Sequence, residues 1–263
     1  MKKKYLKILV SNDDGVHSKG LHVLAAALKE LGEVYVVAPD RERNAAGHAL
    51  TLHKPLRVDQ LEERVFSISG TPTDCINLGV RIMKGKPHLV VAGINKGENL
   101  GDDVTYSGTV SAAMEGTLLG IPSFSISISG EGDYHFDVAA RFAQQLASQI
   151  LKKGLPRDTL LNVNVPDLPK EEIQGVKFTC LGKRVYEDVI VEKVDPRGKK
   201  YYWIAGNRIV YEGRRNTDFE ALQAGKVEVP VFPVGDELFV RLSAQAYNDL
   251  GDYAALARVI MRL

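Results

Sequence analysis

What the chain lacks narrows its chemistry before any motif is read. Only two cysteines occur in 263 residues, Cys75 and Cys180. They form no metal-binding or redox spacing, so both read as buried free thiols in a reducing cytoplasm. An excess of one charge is also missing: 34 lysines and arginines face 33 aspartates and glutamates, for a net charge of +1. No basic block exceeds the opening Met1-Lys2-Lys3-Lys4, which argues against a nucleic-acid polymer as partner. No apolar run could span a bilayer, and none follows the basic opening as it would in a signal peptide. The expectation is a cytoplasmic protein without a membrane partner.

Several catalytic signatures are absent as well. Without G-x-G-x-x-G after the first strand, dinucleotide binding is disfavoured, and no Walker A lysine loop occurs. No G-x-S-x-G elbow points to serine-hydrolase chemistry. The six histidines are scattered at positions 17, 22, 48, 53, 88 and 135. His17 and His48 fall in loops of interest, but both read first as surface or capping residues.

What is there begins at Ile8-Leu9-Val10-Ser11-Asn12-Asp13-Asp14-Gly15. An apolar run from Tyr5 has the pattern of a buried parallel strand. In an open α/β sheet, ligands bind just beyond the carboxyl ends of such strands. Two unpaired carboxylates about 4 Å apart repel by roughly 4 kcal/mol at an effective dielectric near 20. A divalent cation with oxygen ligands would remove that cost. An acidic loop in which Asp13 or Asp14 caps a helix would do so equally well.

Strand and helix signals alternate through the first half, which favours βαβ units and a mostly parallel, Rossmann-like α/β sheet. Leu21, Leu24, Ala25, Leu28 and Leu31 mark a helix that Gly32 stops. Strands are expected over 34–38, 50–58, 65–69, 88–92, 123–128 and 160–165. Helices are expected from the Gly70–Asp74 cap through Met83, over 108–119 and over 136–153. Gly93 to Ser107 reads as a long glycine-rich loop, which a compact domain seldom carries without a functional reason. Residues 1–182 are therefore expected to form the core. Residues 183–263 differ, with a β-hairpin at about 185–204, a strand over 227–232 and a terminal helix over 249–263. The turn Asp195-Pro196-Arg197-Gly198 joins the two halves of the hairpin. It has too little local core to stand alone, so packing on a neighbouring subunit is one solution.

Three polar loops end successive strands in this reading: 12–15, 40–47 and 93–103. Neighbouring parallel strands place such loops along one crevice, so Asp13, Asp14, Asn44 and Asn95 are candidates to converge. All offer hard oxygen donors, which suit magnesium, manganese or calcium. Ser107-Gly108-Thr109 lies where the third loop enters a helix. Helix N-termini carry free N–H groups and bind phosphate, and Ser107 and Thr109 add hydroxyl donors. A plain Ser/Thr cap explains the same triplet. Lys96 and Arg43 could supply compensating charge.

Five segments in order resemble the SurE family, the survival-protein-E nucleotidases. They are Ser11-Asn12-Asp13-Asp14-Gly15, Val37-Ala38-Pro39-Asp40-Arg41, Ser69-Gly70-Thr71-Pro72-Thr73-Asp74-Cys75, Gly93-Ile94-Asn95-Lys96-Gly97-Glu98-Asn99 and the run from Gly101 to Ala113. The resemblance implies a divalent-metal-dependent phosphomonoesterase that hydrolyses nucleoside 5′- and 3′-monophosphates with metal-activated water, exopolyphosphatase activity being a further candidate. It implies one cation per subunit, magnesium or manganese before calcium, held by Asp13, Asp14, Asn44 and Asn95. Asp13 and Asp14 would be catalytic, with Asp13 before Asp14 as general base. Asn12, Asn99, Ser107, Gly108 and Thr109 would grip phosphate. The family also implies a homo-oligomer, dimer or tetramer, built through the hairpin and an exchanged C-terminal segment. Asn44 and Ala92 stand where the family usually has serine. Two other readings compete: a non-catalytic or weakly catalytic nucleotide-binding module, and a phosphatase with an aspartyl nucleophile of the haloacid dehalogenase type. The latter normally spaces its aspartates one residue apart, whereas Asp13 and Asp14 are adjacent.

The hairpin generates the first test. Tyr201, Tyr202 and Trp203 follow one another with no local core to cover both faces. Deleting residues 185–204 should leave a folded core of lower oligomeric order. Light scattering that shows an unchanged assembly would refute the arm.

Overall fold

Apolar residues on both faces of the first strand decide the architecture. β1 (Lys7–Ser11) buries Ile8, Leu9 and Val10 completely. Successive side chains point to opposite faces of a strand, so helices must cover both sides of the sheet. The computed structural model describes residues 6–130, 132–186, 190–204, 209–211 and 215–233.

The chain continues through α1 (Lys19–Leu28), β2 (Glu33–Pro39), β3 (Val58–Glu62), β4 (Val65–Ile68), α2 (Pro72–Ile82) and β5 (Leu89–Lys96). A 3₁₀ turn over Gly101–Thr105 leads into α3 (Gly108–Leu118), β6 (Ser123–Ser129), α4 (Phe136–Lys153) and β7 (Thr159–Pro166). Then come β8 (Val176–Thr179), β9 (Arg184–Tyr186), β10 (Ile190–Val194), β11 (Lys200–Ile204), β12 (Ile209–Tyr211), α5 (Asp218–Gln223) and β13 (Val227–Pro233).

Among the described residues, nine strands form one sheet in the order β3-β4-β2-β1-β5-β6-β7-β13-β8. The six from β4 to β7 run parallel. β3 closes one edge antiparallel to β4, and β13 runs antiparallel to β7 but parallel to β8. From β1 the chain winds first toward β2 and then, after β4, back to β5. The gap between the carboxyl ends of β1 and β5 is therefore the switch point at which open α/β sheets bind ligands.

Each face has its own core. Leu21, Leu24 and Leu28 of α1, with Phe136 and Leu146 of α4, pack on Ile8, Val10, Val91 and Ile126. Cys75 and Ile76 of α2, with Val110 and Ala113 of α3, pack on Leu9, Val37, Val90 and Ala92. Fully burying one such Leu or Ile is worth about 1.5–3 kcal/mol. Local signals set the helix starts. Ser18 caps α1, and Thr71 and Asp74 form a reciprocal capping box on α2, satisfying backbone donors that would otherwise be orphaned.

The expected Rossmann-like α/β sheet is present, and so is the antiparallel hairpin: β10 pairs β11 from Ile190–Ile204 to Val194–Lys200. Four details differ from the sequence reading. Residues 50–57 form no strand; the first strand of that pair begins at Val58. Pro55 lacks a ladder donor, and the segment is held by individual bonds such as Thr51 N–H to Asp74 Oδ1 at 3.0 Å. The glycine-rich loop is shorter than expected, because β5 continues through Lys96 past a register shift between Gly93 and Asn95. β8 and α5 have four and six residues, too few for a periodic signal. Cys75 is buried but Cys180 is exposed, since it follows edge strand β8 and sits on an isolated bridge to Thr217. The helix expected over 249–263 and the exchanged C-terminal segment lie outside the described residues. Among the described residues, no helix is long and apolar enough to cross a membrane.

A buried polar row crosses the sheet where alternation alone would predict apolar residues. Ser125 donates to Asn162 Oδ1 at 2.8 Å. Asn164 donates to the carbonyl of Asn99 at 3.2 Å and to Glu228 on β13, whose other oxygen accepts from Thr179 at 3.0 Å. Complete burial, reinforced by the nearby Asp218, pushes the Glu228 carboxyl well above the usual range. Folding therefore favours the protonated form of Glu228, whereas the unfolded chain ionises it at about pH 4.3. Stability from this group is full below that pH and falls as pH rises toward the folded value. Glu228→Gln keeps the shape and cannot ionise. It should raise the melting temperature by about 2 °C or more at pH 8, with the gain vanishing near pH 4. Equal melting temperatures across that range would refute the assignment.

Candidate active site at the switch point

Asp13 ends up in an interior position because a helix begins directly beside it. It is buried, and both its oxygens point at the first turn of α3. Thr109 donates its hydroxyl to Oδ1 and its backbone N–H to Oδ2 at 3.1 Å. A carboxylate at a helix N-terminus satisfies orphan donors and complements the macrodipole. The approach is close enough to require glycine at 108. A Cβ there would lie 2.8 Å from Asp13 Cβ and 3.0 Å from Pro72 Cγ. Burial raises the Asp13 pKa, and the hydrogen bonds from Thr109 and Gly108 oppose that rise.

Asp14 is the freer of the pair. Burial and then the adjacent Asp13 push its carboxyl up to about 6, against the Lys96 backbone N–H and ammonium. Its Oδ2 is buried with no hydrogen-bond partner among the described residues, and so is Asn12 Oδ1. Asn12 spends its amide donors on the Gly15 carbonyl at 3.1 Å and Ser18 Oγ at 2.7 Å. A buried acceptor left unpaired costs about 1–3 kcal/mol. These two oxygens are among five buried side-chain atoms of the described residues that lack a partner, the others being Ser11 Oγ, Arg43 Nε and Thr73 Oγ1.

The other two loops close on the pair. The Arg43 N–H donates to the Asp13 carbonyl at 2.8 Å, and its guanidinium holds Asp40 at 3.1 Å. This brings the 40–47 loop against the β1 loop. Asn44 is exposed there and turns its amide nitrogen to Glu42. Glu42 also acts on Asp14 as a like charge. Asn95 reaches the crevice through the kink at Gly93, where a Cβ would lie 2.2 Å from the Ile126 carbonyl oxygen. Its Nδ2 donates to the Gly97 carbonyl at 2.9 Å, which aims the amide oxygen away from its own loop. Asn99 is buried one step deeper, bound to Ser127 Oγ and Asn164 Oδ1, each at 2.8 Å.

The structure thus brings Asp13, Asp14, Asn95 and the 107–109 turn to one crevice, with Asn44 on its rim. It gives two of the expected phosphate donors other work. The Thr109 hydroxyl is spent on Asp13, and Asn12 keeps only an acceptor. Ser107 accepts the Val110 N–H at 3.1 Å as the α3 cap, leaving its own hydroxyl hydrogen to donate. Among the described residues no three carboxylate, imidazole or thiol side chains cluster as a metal site, so a cation here would depend on two carboxylates and neutral oxygens. Sequence reasoning passed over Glu42, whose signal was only its place between Arg41 and Arg43. It also passed over Asp218, which accepts the Gly101 and Gly182 N–H groups at 2.7 and 2.8 Å and so anchors the third loop from 117 residues away.

Sheet order and site together define a class: a Rossmann-like α/β protein with an acidic pair at the switch point, clamped to a helix N-terminus. The family described as Survival protein SurE matches residues 8–188, and the chain belongs to the SurE family. It is 56% identical over 226 residues to a protein of Geobacter sulfurreducens named 5′-nucleotidase SurE, covering 85% of this chain and 86% of that protein. A protein of the same name from Geotalea daltonii is 55% identical over 227 residues, covering 85% and 91%. The crystal structure of the SurE protein from Aquifex aeolicus superposes with a TM-score of 0.79 at 42% identity, covering 91% of this chain and 98% of that one.

The clamp yields a direct test. Thr109→Val keeps the shape of the side chain but removes the donor to Asp13. Hydrogen bonds to charged groups contribute about 1.5–3 kcal/mol, so urea denaturation should show a loss of that size, with Thr109→Ser losing less. Unchanged stability in Thr109→Val would show that the clamp does not hold Asp13.

Proposed function

We propose that this protein is a divalent-metal-dependent phosphomonoesterase that hydrolyses nucleoside monophosphates, the 5′ esters first and the 3′ esters also. One observation carries the reading: Asp14 Oδ2 and Asn12 Oδ1 are buried and have no partner among the described residues, at the switch point of a chain 56% identical to a protein named 5′-nucleotidase SurE. The donor set fits a hard cation, since it consists of carboxylate and amide oxygens only. Asp13, Asp14 and Asn95 would hold it, with Asn44 on the rim as a fourth ligand. When bound, such a cation supplies polarisation of a phosphoryl oxygen and acidifies a water.

The chain's own groups divide the remaining work. Asp13 is fixed by two bonds from Thr109, which suits a ligand that must not move. Asp14 keeps an oxygen without a partner among the described residues, so it is better placed than Asp13 to accept a proton from the attacking water. Ser107 offers the phosphate a hydroxyl beside the positive end of a helix, whose first N–H groups are already engaged by Asp13 and Ser107. Lys96 projects from the same crevice with an exposed side chain and adds charge. Asn99, anchored between β6 and β7, lines its floor.

The proposed division of the chain follows the same logic, with residues 1–182 as catalytic core and 183–263 as the assembling region. The hairpin supports this. Trp203 is 61% exposed and Ile204 94%, a cluster of large apolar side chains that a second subunit would cover.

The test measures phosphate release from a panel of nucleoside 5′- and 3′-monophosphates with magnesium, with manganese and with EDTA. Turnover should require the cation. Asp14→Asn should lower it by about 10²–10⁴-fold with a melting temperature no lower than wild type, because burial and Asp13 already disfavour the Asp14 charge. Release insensitive to EDTA, or near-normal turnover in Asp14→Asn, would overturn the proposal. Trapping of an acyl phosphate by hydroxylamine would replace it with the aspartyl-nucleophile mechanism.

A further inference from the structure

Glu115 is an unexpected residue for its position. It lies in the second turn of α3, facing α2, and its side chain is only 10% exposed. Burying a carboxylate is costly unless each oxygen finds a partner, and here each does. Asn77 of α2 donates to Oε1 at 2.7 Å, and Nε2 of His48 meets Oε2 at 2.7 Å. Although burial works against ionisation, the bonds from His48 and Asn77 hold this carboxyl below its usual value. A packing role would be filled more cheaply by leucine or methionine. What the carboxylate adds is a joint between α2, α3 and the 40–50 loop.

That loop is otherwise attached at points on either side of His48. The Arg43 N–H binds the Asp13 carbonyl at 2.8 Å, and the Gly47 N–H binds the Tyr106 carbonyl at 3.0 Å. Beyond His48, the Ala49 carbonyl accepts from Thr71 at 2.7 Å and the Thr51 N–H reaches Asp74 at 3.0 Å. Asn44 to Ala46 span the stretch between the first two points. His48 supplies the loop's side-chain contact with α3, and α3 is the same helix whose first turn clamps Asp13 through Thr109. One helix therefore contacts both loops: Asp13 at Thr109 and, six residues later in the helix, the 40–50 loop at Glu115.

We infer that Glu115 is a positioning residue that acts through His48 to fix the 40–50 loop, and with it Asn44, at a set distance from Asp13 and Asp14. The inference rests on the proposed placement of Asn44 at the cation, and its consequences are separable from turnover. Partners that orient metal ligands typically govern 10- to 100-fold in metal affinity.

The experiment uses the full chain and manganese alone. Titration calorimetry should show His48→Ala binding manganese about 10- to 100-fold more weakly than wild type, with a somewhat lower melting temperature because Glu115 Oε2 loses its partner. Hydrogen exchange at residues 44–48 should accelerate in the metal-free variant. His48→Gln, which returns an N–H donor at similar reach, should restore both. Wild-type affinity and exchange in His48→Ala would overturn the inference, as would an affinity loss that His48→Gln does not rescue. Asn44→Leu separates the two levels. If it loses manganese affinity while His48→Ala keeps it, the site stands and the positioning role fails. If Asn44→Leu binds normally, the placement of Asn44 fails and this inference with it.

Discussion

The clamp between Asp13 and the first turn of α3 is the contact on which the rest of the crevice depends. It joins the end of β1 to a helix that begins 95 residues later in the chain, through Gly108 and Thr109. The helix supplies N–H groups that would otherwise be orphaned, and the carboxylate supplies the acceptor. Gly108 is needed because no Cβ fits between the helix and Asp13. With Asp13 fixed in this way, the adjacent Asp14 keeps a buried oxygen without a partner among the described residues. The two carboxylates are neighbours in sequence but not equivalent. Asp13 is held on both oxygens by Thr109, and Asp14 is not.

The third loop is secured by a different means. Asn99 hangs on a row of buried serines and asparagines that crosses β6 and β7 and ends at Glu228 on β13. Asp218 holds the same loop from the far side through the Gly101 N–H. Fully satisfied polar networks of this kind specify one geometry, because any shift leaves a buried group unpaired. Strand β13 comes from the segment beyond the hairpin, yet it completes the network that positions a crevice residue. β13 thus lies within the main sheet, between β7 and β8.

Much of the fold was legible in the sequence because its signals are local. Near-continuous apolar runs mark buried parallel strands, and the period of α1 marks its buried face. The Thr71 to Asp74 box marks the start of α2. The alternation of these signals identifies a doubly wound sheet, and Asp13 and Asp14 fall where such sheets bind ligands. Elements without a local period went unseen. β8 and α5 are too short, and the extension of β5 past Gly93 depends on pairing with β6 rather than on residue type.

The site divides along the same line. Sequence by itself determined which oxygen donors are available and that they sit at or beyond the carboxyl ends of β1, β2 and β5, because strand position follows from hydrophobic pattern. Only the tertiary structure decided what each donor does. Thr109 could serve phosphate or a carboxylate, and the packing of α3 against β1 assigns its hydroxyl to Asp13. Asn12 could donate or accept, and the Gly15 and Ser18 contacts leave it only an acceptor. His48 and Glu115 are 67 residues apart, and nothing in either segment announces the other. A hydroxyl, amide or carboxylate has more than one use, and the choice belongs to whichever partner the fold brings within hydrogen-bond distance.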